Sequence, residues 1–279
     1  TGAYHLIGDD GRLRRLPLQD SADLAGFYAG RILFTLREAW DVQGRTFPQG
    51  ALLAISVSAF QASEKLPRVE VVYTPDDRTS ISGVVVSGSG LYVALLQNVK
   101  GRILRFRADH DTDRWSSEPL PLPANGTVSV SAANPYSSTV LVNYEDHITP
   151  DRLSEYDAGA NSLTLLKSLP ARFRADDLQV SQHMAGSVDG ELVPYFVIHR
   201  KGLKPDGSTP TILYGYGGFE ISLKQRKPWG MSIYWYLTMF WVRTLVKGKV
   251  GSALIVIRIY FTNLSYCLAT WLPLQKLFR

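Results

Sequence analysis

From residue 31 to residue 166 the chain is a succession of short apolar or alternating runs, each closed by a turn signal, with no convincing helical period among them. The runs are Arg31–Leu36, Ala51–Val57, Val69–Thr74, Ile81–Val86, Leu91–Gln97, Arg102–Arg107, Thr127–Ser131, Thr139–Tyr144 and Ser162–Leu166. Turn-forming clusters stand between and before them: Gly8–Gly11, Thr74–Asp77, Ser87–Gly90 and Asn134–Tyr136. Strands of this length and spacing restrict the fold to a sandwich, a barrel or a propeller. A loose repeat selects among these. A strand, a polar turn and a second strand with a charged residue near its end recur at Ile32–Ser56, Leu91–Arg107 and Thr139–Thr164. The repeats start roughly 50 residues apart, the length of one four-stranded blade. The chain is therefore expected to be mostly β, with a partial β-propeller of about three blades over residues 1–171, where closed rings have four to eight. Leu33, Leu53, Ile55, Val93, Leu95 and Val142 are expected to point inward. Fewer blades than a ring leave edge strands uncovered, so self-association through them is expected.

Near residue 172 the pattern changes. Leu178–Met184 and Leu192–His199 read as strands around the turn Gly186–Gly190, and a loop, Lys201–Pro210, precedes a buried-type strand, Thr211–Tyr214. That strand runs into Gly-Tyr-Gly-Gly-Phe at 215–219. Glycines at the end of a strand let an α/β fold bring backbone amides close to a reacting group. After Glu220 the composition breaks. Residues 1–220 hold 21 Lys and Arg against 25 Asp and Glu, whereas the last 59 residues hold nine basic residues, no acid and four of the six tryptophans. The net charge of +5 thus belongs to the tail rather than to a basic patch on a folded domain. No nucleic-acid motif accompanies it, so nucleic acid is not an expected partner. Trp229–Val242 is too short to span a bilayer, and Arg258 and Asn263 interrupt Ser252–Leu272, so membrane insertion is not expected either. The single cysteine, Cys267, excludes an internal disulfide, and Thr1–Leu6 lacks a signal-peptide pattern. The compartment stays open.

Three ordered stretches carry a resemblance: Phe173–His183, Ser187–Gly207 and Thr209–Ser222, the last reading Thr-Pro-Thr-Ile-Leu-Tyr-Gly-Tyr-Gly-Gly-Phe-Glu-Ile-Ser. Together they are similar to the opening of the catalytic domain of the prolyl oligopeptidase family of serine peptidases. Ile148–Tyr156 resembles the last propeller blade of that family. The resemblance implies a β-propeller capping an α/β-hydrolase domain, with short proline-containing peptides cut between them. It divides the chain into a partial propeller (1–171), the first strands of an α/β-hydrolase domain (172–223) and an atypical basic, aromatic C-terminal tail (224–279). Tyr216 is implied as a hydroxyl donor to the oxyanion, Phe219 as a wall of the proline pocket, and Gly215, Gly217 and Gly218 as the tight backbone path. No metal and no cofactor are implied.

The family pattern stops there. No serine of the chain has glycine two residues before and two after it, and no histidine follows Phe219, where the order Ser, Asp, His would require one. Nucleophile, base and orienter are therefore absent, and the chain is expected to be an inactive piece of such a peptidase. A shift of coding frame near residue 223 would account for the break. The competing reading is a non-enzymatic, propeller-derived binding module, associated with membrane through its tail. His5, His110 and His147 are read as solvated turn residues, and His183 and His199 as structural residues in strands. Asp109, Asp111 and Asp113 around His110 lack the glycine and distal glutamate of a calcium loop and are read as an exposed turn.

Overall fold

The structure, a computed structural model, describes residues 3–216 apart from 9, 110–113, 188–189, 205 and 207–208, together with residues 255–260. The chain divides into two compact units. The first comprises Thr1–Ala124, Val128–Asn143 and Leu153–Lys167, and the second Asn125–Thr127, Tyr144–Arg152 and Ser168–Arg279.

The chain begins with a hairpin of β1 (His5–Ile7) and β2 (Leu13–Arg15). A first sheet follows, built from β3 (Ala22–Tyr28), β4 (Arg31–Leu36), β7 (Leu52–Ser56) and β8 (Glu70–Tyr73). Between β4 and β7 the chain inserts a hairpin, β5 (Trp40–Val42) and β6 (Arg45–Phe47). The second sheet is β9 (Thr79–Ser87), β10 (Gly90–Gln97), β11 (Lys100–Ala108) and β12 (Trp115–Pro119). The third is β13 (Thr127–Ala133), β14 (Val140–Glu145), β15 (Arg152–Asp157) and β16 (Ser162–Ser168). In each sheet the strands lie side by side in chain order, which is the organisation of propeller blades.

The nine runs expected as strands all lie in these sheets. Within the three sheets, the strands that the sequence pattern does not predict are β3, β12 and β15. β3 is broken by Gly26 and a register shift between Leu24 and Gly26, while β12 and β15 are polar along most of their length. A strand covered on little of its surface needs no apolar alternation, so its period is weak.

One expectation is corrected. A short helix, α1 (Val57–Ser63), interrupts the all-strand pattern where Ala51–Val57 was read as a single strand. The Ser56 hydroxyl caps it by accepting the Ala59 N–H at 3.2 Å. Phe60 is its buried residue, and Glu64 ends it in a left-handed conformation with its N–H on the Phe60 carbonyl.

Alternation along β4 and β7 builds two cores. Ile32, Phe34, Leu36, Leu53 and Ile55 face one side, where α1 and the two hairpins cover them through Phe60, Trp40, Phe47 and Leu6. Leu33, Leu52 and Ala54 face the other and pack on Leu91, Val93, Leu95 and Phe106 of the second sheet. All six residues expected inward are buried.

Beside this apolar contact sits a buried ion pair. Arg31 Nε donates to both oxygens of Glu70 at 3.0 and 2.8 Å, and Trp115 of the second sheet donates its indole N–H to Glu70 at 3.1 Å. The Arg31 guanidinium lies 5.7 Å from the Trp115 ring centre. Arg105 donates within the second sheet to the Ser89 carbonyl at 2.9 Å and across to the Ala158 carbonyl of the third, and Tyr92 of the second meets Tyr156 of the third edge to face.

Three two-residue hairpin turns place both central residues at positive φ: Ala29-Gly30, Gln43-Gly44 and Asn98-Val99. Such turns match the twist of the flanking strands and favour glycine at the second position. Two have it; the third holds Val99 at φ 60°, where a β-branched side chain is strained. Val99→Gly is therefore expected to stabilise the chain by roughly 1 kcal/mol, the relief of strain outweighing the entropy that glycine loses on folding. A rise in the urea midpoint at unchanged slope is the check, and a lower midpoint would contradict it.

The second unit holds a mixed sheet of β17 (Leu178–Gly186), β18 (Leu192–Arg200), β19 (Thr211–Tyr216) and β20 (Ile255–Tyr260), in the order β17-β18-β20-β19. β18 is antiparallel to both its neighbours, whereas β19 and β20 run parallel. β20 comes from the tail, where no strand was expected. Among the described residues no helix is long and apolar enough to cross a membrane.

Candidate functional site

β19 ends at Tyr216, and its register with β20 sets Gly215 beside Ile259 and Tyr216 beside Tyr260. Tyr216 therefore stands at the carboxyl end of a parallel strand pair. Open α/β sheets present their ligands and reacting groups outside the carboxyl ends of such strands. Gly217, Gly218 and Phe219 lie outside the described residues.

β18 supports this sheet through Phe196, which is fully buried. His147 packs against the Phe196 ring at 5.5 Å between centres, and it is only 8% exposed. This corrects the expectation that His147 is solvated. The cause lies in the residue before it. Asp146 accepts the backbone N–H of Ile148 at 2.8 Å and of Thr149 at 2.6 Å on one oxygen, and the Tyr144 hydroxyl at 2.8 Å on the other. The carboxylate thus folds the chain into a tight turn that carries His147 inward. Burial, and then the Asp146 carboxylate, push the Tyr144 phenol well above its ordinary range. Gly126 completes the packing: a Cβ there would overlap the Tyr144 ring. An Asp whose side chain bonds the amides two and three residues on is a readable turn signal.

The β17–β18 hairpin places its polar side chains on one face. Ser181 Oγ is 2.9 Å from His183 Nε2, Gln179 bonds His199 at 3.1 Å, and the His183 ring stacks on Tyr195. His183 and His199 thus have structural partners within their strands. The Ser181–His183 contact has the two groups of a nucleophile and its base. It lies on an extended strand paired along its whole length with β18. An α/β-hydrolase places its serine instead on a sharp strand-to-helix turn, where backbone amides converge on the oxyanion. Among the described residues no group of three or more His, Cys, Asp or Glu side chains is placed to hold a metal ion. Residues 110–113 of the Asp-His-Asp-Thr-Asp run lie outside the described residues, and Asp109 donates its N–H to the Arg114 carbonyl.

Residues 40–169 match the family described as the N-terminal β-propeller domain of prolyl oligopeptidase. A protein of Sinorhizobium fredii named as an uncharacterised peptidase is 35% identical over 210 residues, covering 75% of this chain and 29% of that protein. A prolyl endopeptidase of Elizabethkingia miricola is 28% identical over 140 residues, covering 50% of this chain and 19% of that protein. Among solved structures, a post-proline cleaving enzyme from Rickettsia typhi superposes with a TM-score of 0.67 at 20% identity, covering 89% of this chain and 34% of that one. Prolyl oligopeptidase B from Galerina marginata, bound to a 35-residue hydrolysis and macrocyclisation substrate, superposes with a TM-score of 0.64 at 15% identity, covering 95% and 34%. The chain spans no more than about a third of the length of these proteins.

Proposed function

Because the chain belongs to the prolyl oligopeptidase family, we propose that it is the part of a serine-type peptidase in which propeller blades lead into the first strands of an α/β-hydrolase domain. In this reading residues 1–171 are the blades and 172–223 open the hydrolase domain. The tail, 224–279, lends β20 to the hydrolase sheet. The observation that carries the reading is the parallel pairing of β19 with β20, with Tyr216 at its carboxyl end. Consecutive antiparallel strands need only hairpins, but a parallel pair needs a crossover, the unit from which α/β sheets are made.

Tyr216 then donates its hydroxyl to the oxyanion of the tetrahedral intermediate. A donor fixed in advance where negative charge develops lowers the barrier by roughly 3–4 kcal/mol. Gly215, Gly217 and Gly218 let the backbone turn sharply beside that oxyanion, and Phe219 packs on the proline ring of the substrate. The substrates of the intact enzyme are short proline-containing peptides; the names of two relatives, a prolyl endopeptidase and a post-proline cleaving enzyme, support the proline part of this reading. Uncovered edge strands make self-association part of the same reading.

The chain itself does not cut. Its serines lack the glycine frame of a nucleophile elbow, no histidine follows His199, and no acid follows Glu220. A fluorophosphonate probe, which reacts with activated serines, tests this on the purified chain. No serine is expected to be labelled above the level seen after denaturation. Stoichiometric labelling of any serine would overturn the reading, and labelling of Ser181 would identify the Ser181–His183 pair as the working dyad.

A further inference from the structure

The fourth strands of the three propeller sheets, β8, β12 and β16, hold equivalent places, each with one side unpaired in its sheet. An open edge is a template for another strand unless it is short, charged, interrupted by proline or covered. β8 has four residues, two of them buried, and its Glu70 is turned inward onto Arg31. β12 has five residues, ends in Pro119, and carries Glu118 in ion pairs with Arg105 and Arg107. β16 is less protected: it is neither short nor interrupted by proline. It runs for seven residues, Ser-Leu-Thr-Leu-Leu-Lys-Ser, with a single charge at Lys167. Leu165 is 54% exposed and Leu166 46% exposed. Adjacent residues of a strand point to opposite faces, so among the described residues β16 is exposed on both faces and unpaired along its edge.

We propose that β16 pairs antiparallel with β16 of a second copy of this chain, joining two blades into one continuous sheet across a two-fold axis. The strand is complementary to itself. Pairing centred on Leu165 sets Lys167 opposite Leu163 and Ser162 opposite Ser168, so the one charge never meets its like. A two-fold contact of this kind closes with two chains and covers both edges at once. β17, an edge of the second unit's sheet, presents mainly polar side chains, Gln179, Ser181, Gln182 and His183, with Met184 as its one exposed large apolar residue, so less apolar surface is available there to drive association. The proposal deepens the self-association reading above and is independent of the peptidase assignment, which the serine probe tests separately.

Sedimentation velocity on the full chain over a range of concentrations is the test. A monomer–dimer equilibrium is expected. Leu165→Lys puts two like charges face to face at the centre of the pairing and should raise the dissociation constant at least about tenfold. Leu166→Lys should act in the same direction. Both side chains are already exposed, so the far-ultraviolet circular dichroism and the melting of the monomer should stay as in the parent. Met184→Lys, on β17, should leave the dimer intact. A monomer at every concentration would overturn the proposal. So would association that survives both leucine substitutions, or association abolished by Met184→Lys.

Discussion

Glu70→Ala is expected to remove about 3–5 kcal/mol of unfolding free energy, the range found when one partner of a buried ion pair is deleted. The Arg31 and Glu70 side chains are each 8% exposed. Glu70 receives three hydrogen bonds, two from Arg31 and one from the Trp115 indole. Without the carboxylate, the guanidinium keeps its contact with the Ala29 carbonyl and the Trp115 ring. The indole N–H loses its acceptor as well, and an unsatisfied buried donor adds its own desolvation cost. Because Trp115 comes from the second sheet while Arg31 and Glu70 come from the first, the loss falls on the joint between two blades. The double substitution Arg31→Met with Glu70→Leu should recover most of the stability, since an apolar pair of similar volume leaves no charge stranded. Urea unfolding of the parent, the two single variants and the double variant gives the coupling energy directly. A Glu70→Ala loss below about 1 kcal/mol, in the range of an exposed pair, would show that the ion pair is not holding the blades.

How much of this was legible in the sequence follows from what each residue has to do. The strands that carry the blade cores, β4, β7, β10, β11 and β14, bury one or both faces, and burial writes an apolar pattern that can be read without a structure. β12 and β15 are held by pairing to their neighbours and bury few of their side chains, so their sequence carries no such pattern. α1 was missed because Val57 continues the apolar run of β7 by one residue. Its signal, a serine cap ahead of Ala59 and Phe60, is only one turn long.

Tyr216 could be picked out because glycines surround it, and backbone demands on glycine are local. β20 could not be anticipated: its place between β18 and β19 depends on pairing between residues 44 to 64 positions apart in the chain. No local period encodes such a partner. His147 was misplaced for a related reason. Its exposure is decided by Phe196, nearly 50 residues away in the chain, while its neighbours in sequence are polar.

The most direct measurement is turnover of a proline-containing chromogenic peptide by the purified chain, with and without Tyr216→Phe. Hydrolysis by this chemistry needs a nucleophile, a base and an oxyanion hole held together. Hydrolases stripped of their triad keep about 10³–10⁴-fold acceleration over water from the oxyanion hole and binding. That remnant requires both oxyanion donors, and the second comes from the backbone after the nucleophile, which no serine of this chain supplies. The rate is therefore predicted to equal background for the parent and for Tyr216→Phe alike. In an active relative, replacing the tyrosine that matches Tyr216 should lower the rate by roughly 10²–10³-fold, the effect of losing one oxyanion donor. Turnover by this chain that falls on Tyr216→Phe would contradict the account, because it would mean that a complete site, nucleophile included, is present here.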